Sequence, residues 1–230
     1  MDRPYIVCHM VASIDGKVTG EFLGHPACQK ATELYYELNR SLPADGFICG
    51  RVTMEGSFTG GWYPDLAAYP PEEKADFIPA LPEKRYAIAF DTVGKLGWKA
   101  NCIIDPDGDP GYDGARIIEV LSEQTDGRYL GYLKAKNIPY IFAGKDTIDV
   151  PLALSKLRKM GLQTLLLEGG SIINGAFYRA GCVDEVSLVV APVEGAPEDK
   201  PLFMGGTIAG FELLGSREQE GALCLRYKKQ

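Results

Sequence analysis

The chain has 230 residues, 46% hydrophobic and 24% charged, a balance that excludes a disordered or fibrous protein. Its 24 basic and 31 acidic residues leave a net charge of −7 without a Lys/Arg cluster, which argues against a nucleic-acid partner. His9 and His25 are the only histidines, so multi-histidine metal sites are excluded and no metal is expected.

Short apolar runs alternate with helical spacings, the pattern of an α/β domain with crossover helices. Tyr5 to Val11 reads as a buried strand, and Ala27 to Leu38 as a helix with Ala31, Leu34, Tyr35 and Leu38 on one face. Gly46 to Cys49 reads as a strand feeding a helix start at Gly50 to Glu55. The Gly-, Pro- and Tyr-rich stretch from Ser57 to Pro82 reads as an excursion of the same domain. Strands are predicted at 85–90, 115–121 and 140–142, with helices at 127–136 and 150–160. Thr164 to Leu167 is the most buried-looking strand, followed by a helix from Ser171 to Ala180 and a strand from Glu185 to Val190. Residues 211–229 read as two strands closing around Gly221. No repeat or linker divides the chain, so 1–230 is expected to form a single domain.

The first residues carry no apolar signal region, and no apolar stretch approaches the ~20 residues of a membrane span. A cytoplasmic protein without a membrane partner is therefore expected. The six cysteines form no Cys-x-x-Cys pair and are expected to be reduced and buried.

Three turns carry the candidate chemistry. In Leu165-Leu-Leu-Glu-Gly-Gly-Ser-Ile-Ile-Asn174, a buried strand ends in Glu168, two glycines allow close backbone approach, and a helix begins at once. Such a helix start offers N–H groups and a positive dipole end to a pyrophosphate; equally, it is an ordinary tight turn capped by Ser171. Gly50-Arg-Val-Thr53 repeats the arrangement, with Arg51 either meeting an anion or forming a surface salt bridge. Two such starts suggest a dinucleotide lying across a sheet edge. Ala12-Ser-Ile-Asp-Gly-Lys17 breaks the first strand into a turn. His25 is a weaker substrate candidate in a Gly-His-Pro loop, and His9 reads as a core residue. Tyr35, Tyr36, Trp62 and Tyr63 line a cavity or simply pack.

In this order, Ala12-Ser-Ile-Asp-Gly-Lys17, Gly50-Arg-Val-Thr53, Phe90-Asp-Thr-x-Gly-Lys95, Leu167-Glu-Gly-Gly170 and Gly181-Cys-Val-Asp-Glu185 resemble the riboflavin-pathway pyrimidine reductases, roughly from Arg3 to Arg226. The resemblance implies a dihydrofolate-reductase-like α/β fold with a mixed, mostly parallel sheet flanked by helices. It implies an NADPH-dependent homodimer acting on a small molecule of the 5-amino-6-(ribosylamino)uracil type. The nicotinamide would lie against the backbone at Val11 and Ala12, with Gly50, Arg51 and Thr53 along the cofactor cleft. Thr92 would contact the adenosine end, and Lys95 the 2′-phosphate. Gly169, Gly170, Ser171, Ile172, Ile173 and Asn174 would hold the pyrophosphate. Glu168 would contact the substrate, joined by Arg40; a catalytic role for Glu168 and a substrate contact at His25 are expected beside the resemblance. Met54 to Tyr63 holds no arginine where the family usually binds a substrate phosphate, so the resemblance leaves phosphorylation open. Two other readings stand beside it: a dihydropterin reductase using Glu33 as proton donor, and a non-catalytic nucleotide-binding protein.

Overall fold

The computed structural model describes residues 2–81 and 85–230. Pro82, where the predicted excursion ends, lies outside the described residues. The chain forms two compact units, one of Met1–Pro4 with Ala44–Gln163 and one of Tyr5–Pro43 with Thr164–Gln230.

In the first unit, β2 (Gly46–Gly50), β3 (Tyr86–Phe90), β4 (Arg116–Leu121) and β5 (Tyr140–Phe142) pair side by side, all parallel. Their near-continuous apolar sequences, Phe47-Ile-Cys and Ile117-Ile118 among them, follow from burial on both faces of a parallel sheet. Helix α2 (Arg51–Met54) follows β2, α3 (Gly127–Ala135) links β4 to β5, and α4 (Val150–Lys159) follows β5. Asp126 caps α3 by accepting from the Arg128 amide, and Asp149 caps α4 through Leu152. The excursion packs rather than dangles. Phe77 exchanges backbone hydrogen bonds of 2.9 Å with Tyr140, Glu72 pairs with Lys134 at 2.5 Å, and Asp76 pairs with Lys156 at 2.7 Å. Tyr63 stacks on Tyr129 and donates to the Gly94 carbonyl, while Trp62 lends its carbonyl to the close approach of Gly97.

The second unit orders its strands β6 (Thr164–Leu167), β1 (Tyr5–Ala12), β7 (Glu185–Val190), β9 (Ala222–Lys229) and β8 (Phe211–Gln219). The first three are parallel, and β9 and β8 are antiparallel additions. Helices α1 (Gln29–Ser41) and α5 (Ser171–Arg179) belong to this unit. Val11, Phe22, Cys28, Ala31, Leu34 and Val189 form one of its apolar clusters.

The α/β class, the mostly parallel sheet and the flanking helices are as the sequence predicts. Most boundaries shift by a residue or two, and two of the shifts have a clear cause. Helix α1 runs to Ser41 rather than Leu38, because its last turn is polar and is held by a buried contact that apolar periodicity does not register. Helix α2 ends at Met54 and passes into a π-turn at Glu55–Thr59, where Gly60 takes φ 59° and stops it. Among the described residues no disulfide joins any of the six cysteines. Five are buried as expected, but Cys102 is only partly so, since it sits in the irregular segment before β4.

Candidate active site

In the second unit, the β1–β6 ladder ends at Cys8–Leu167 while the β1–β7 ladder continues to Ala12–Val190. Beyond Cys8 the backbone of β1 therefore outruns β6, and the chain leaving β6 turns away there through Glu168, Gly169 and Gly170. Val11 and Ala12 lie on this overrun, at the carboxyl ends of parallel strands, where open α/β sheets bind ligands. Ser13, Asp15 and Gly16 fold the chain back: the Ser13 hydroxyl donates to Asp15 at 2.5 Å, and Asp15 accepts the Gly195 amide at 2.9 Å.

Glu168 is 6% exposed, and its Oε1 accepts a 2.5 Å hydrogen bond from the Asn39 side chain on the last turn of α1. Gly169, at φ 91°, occupies left-handed space, and a β-carbon there would come within 2.9 Å of Met10. A cis peptide bond joins it to Gly170.

Gly170 is the N-cap of α5, and no side chain caps that helix. The Ser171 hydroxyl donates instead to the Pro201 carbonyl, which rules out the capping role its sequence position suggests. The initial N–H groups of α5 thus keep their capacity for an anion. Asn174, one turn in, is fully buried, yet neither its Nδ2 nor its Oδ1 has a hydrogen-bond partner. Its Nδ2 lies 3.7 Å from where a Gly169 β-carbon would stand. A buried amide left unpaired on both atoms is costly, and a polar ligand at the Gly169–Asn174 turn would satisfy it. These residues fit a phosphate-bearing cofactor. Ile172 is exposed and Ile173 is buried.

The remaining candidates of this unit separate. Arg40 is exposed, one residue past the buried Asn39. His25 is exposed and caps a short 3-10 turn by accepting the Ala27 amide at 3.2 Å. It borders a cleft of about 1010 Å³ formed with Asp15, Lys17, Glu21 and the 193–199 loop. His9 is a core residue as expected, bonded to Ser187 and the Tyr35 carbonyl at 3.0 Å each and stacked on Tyr35. Glu33 is exposed and paired with Lys30 at 2.9 Å, which holds its carboxyl below the usual range.

In the first unit, Gly50, Arg51 and Thr53 follow β2 directly, and Arg51 forms a 2.6 Å ion pair with Glu55. The turn after β3 carries Thr92 and Lys95. Asp91 organises it by accepting the amides of Lys95 and of Leu96 (2.7 Å), and Ser122 donates to the Thr92 carbonyl at 2.7 Å. Gly94 is required here: its φ is 73°, and a β-carbon would lie 2.5 Å from the Tyr129 ring.

Beneath this turn, Glu119 of β4 is fully buried and accepts from the Trp98 indole and, at 3.2 Å, from the Tyr129 hydroxyl. Burial, then the nearby Asp91 charge, pushes the Glu119 carboxyl well up; burial also raises Asp91. A carboxyl with a raised folded-state pKa contributes its stability below the unfolded value of about 4.3 and loses it as pH rises toward the folded value. Stability should therefore fall above about pH 4.3, by at most about 1.4 kcal/mol per pH unit for each such group. Glu119→Gln keeps the acceptor oxygen and removes one of these groups. Urea denaturation at several pH values should show a flatter profile for the variant; parallel profiles would show that Glu119 does not titrate with folding.

Among the described residues no helix is long and apolar enough to cross a membrane, and no group of three or more His, Cys, Asp or Glu side chains is arranged to hold a metal ion.

The RibD C-terminal domain family model matches residues 4–225. A 2,5-diamino-6-ribosylamino-4(3H)-pyrimidinone 5′-phosphate reductase of Methanothermobacter thermautotrophicus is 40% identical over 196 residues, covering 83% of this chain and 79% of the relative. The Aquifex aeolicus protein of the same name is 26% identical over 221 residues, covering 93% and 87%. Among solved structures, a pyrimidine reductase-like protein of Corynebacterium diphtheriae superposes with a TM-score of 0.69 at 18% identity, covering 99% of this chain and 92% of that one. A riboflavin biosynthesis reductase of Saccharomyces cerevisiae gives 0.63 at 15% identity, covering 100% and 91%. These likenesses establish a shared fold.

Proposed function

Because the chain belongs to the RibD C-terminal domain family, we propose that it is an NADPH-dependent reductase converting a 6-ribosylaminopyrimidine to its ribityl form. The observation that carries this reading is the end of β6, where a buried carboxylate, Glu168, directly precedes an uncapped helix start and the unpaired Asn174 amide. The names of the two reductase relatives support the substrate class.

When bound, NADPH supplies the hydride, which adds to C1′ of the ring-opened ribosylamine while a proton completes the ribitylamine. The chain's own task is orientation, worth up to about 7–11 kcal/mol in favourable cases. The α5 N-terminus and Asn174 hold the pyrophosphate, with Gly169, Gly170, Ser171, Ile172 and Ile173 shaping that turn. Val11 and Ala12 offer backbone to the nicotinamide. The resemblance also assigns Gly50, Arg51, Thr53, Thr92 and Lys95 to cofactor contact, Lys95 by its charge. Glu168 hydrogen-bonds the substrate and handles the proton. Arg40 and His25, both exposed, are assigned to substrate contact.

A homodimer belongs to the same reading. It is supported by β8, an edge strand exposed along most of its length, with Leu213 54% and Leu214 49% exposed. A sedimentation profile of a monomer at micromolar concentration would remove that part.

The deciding assay follows NADPH absorbance with the diaminopyrimidinone and aminouracil ribosylamines, each with and without the 5′-phosphate, beside dihydrofolate. Turnover of a ribosylamine is expected, and turnover of dihydrofolate alone would overturn the substrate class.

A further inference from the structure

We propose that Asn39 is a positioning residue for Glu168, holding its carboxyl group in one orientation whether that group is ionised or protonated. This rests on the reading of Glu168 as the group that meets the substrate. The family resemblance points to neighbouring Arg40 as a substrate-binding residue. In the fold Arg40 is exposed, whereas Asn39 is completely buried with its Nδ2 2.5 Å from Glu168 Oε1.

The chemistry of the pair explains why an amide suits this place. A cation would lock Glu168 as a carboxylate and hold its pKa down. A carboxamide has both a donor and an acceptor end, so it donates to the carboxylate and, turned over, accepts from the protonated acid. The amide itself adds no charge that favours either state. Cys8 of β1 also faces Glu168, and burial followed by the Glu168 charge pushes its thiol far up, so it stays neutral and adds no competing charge. Met10 closes the neighbouring space at Gly169 with an apolar thioether.

Two variants test the assignment, each measured for kcat, KM, NADPH affinity and thermal midpoint. Asn39→Leu removes the hydrogen bond and should lower kcat/KM for the ribosylaminopyrimidine about 10- to 100-fold, with NADPH affinity changed less than about twofold. Asn39→Asp is nearly isosteric and sets a second carboxyl at hydrogen-bond distance from Glu168. The two then share a proton, and the acid limb of the kcat/KM profile should move up by about one pH unit or more. A purely structural Asn39 would change the thermal midpoint and leave that limb in place. An unmoved limb in Asn39→Asp, or kcat/KM within twofold of the parent in a folded Asn39→Leu, overturns the inference. Glu168→Gln, run alongside, separates the two layers. If it is impaired while both Asn39 variants behave as the parent, positioning fails alone; if it keeps full turnover, the reading of Glu168 itself has failed.

Discussion

Glu168→Gln should lower kcat/KM by about 100-fold or more while leaving NADPH affinity and folding almost unchanged. The substitution keeps the size of the side chain and an oxygen at Oε1 to accept from Asn39, so the buried hydrogen bond survives. On the proposed reading, what is lost is a group able to bind and release a proton beside the reacting carbon, and positioned acid–base groups contribute about 10²–10⁴ in rate. Steady-state kinetics with a ribosylaminopyrimidine, together with a fluorescence titration of NADPH, give the two numbers needed. Unchanged kcat/KM would remove Glu168 from the chemistry. A parallel loss of cofactor affinity would move its role to binding.

Asn174→Asp should weaken NADPH binding by about 100-fold, equivalent to about 2.7 kcal/mol. The unpaired amide would meet the pyrophosphate as a neutral donor, whereas a carboxylate of the same shape meets it as a like charge. Two unit charges 4 Å apart repel by about 4 kcal/mol at an effective dielectric constant of 20, so the expected loss is well within reach. Asn174→Leu separates charge from hydrogen bonding: it removes the donor without adding repulsion and should cost about tenfold. Calorimetric titration at moderate salt measures both. Equal affinity in parent and Asp variant would show that no phosphate lies at the start of α5.

Much of this architecture was legible in the sequence, because burial on both faces of a parallel sheet demands short apolar runs. Tyr5 to Val11, Gly46 to Cys49 and Thr164 to Leu167 carry that signal, and each is a strand. The Glu168-Gly-Gly turn was legible for a similar reason: a strand running straight into a helix with two glycines leaves few conformations open. Of the polar contacts, the Arg51 salt bridge was one of two readings the sequence offered, and it is made with Glu55; Ser171, a cap by position, instead binds the Pro201 carbonyl. Asp91 and Glu119 lie far apart in sequence, and no local pattern announces that both are buried beneath one turn.

The sequence alone determined the class of the fold, the succession of its elements and the turn where a phosphate-bearing ligand is expected. These depend on local sterics and on the period of apolar residues, which any window of the chain displays. Tertiary structure decided which polar side chains face the carboxylate at that turn. Asn39 and Arg40 are adjacent on α1 and so point about 100° apart, and only packing of the helix fixes which one is buried. It buried the amide, giving Glu168 a partner that orients it without fixing its charge.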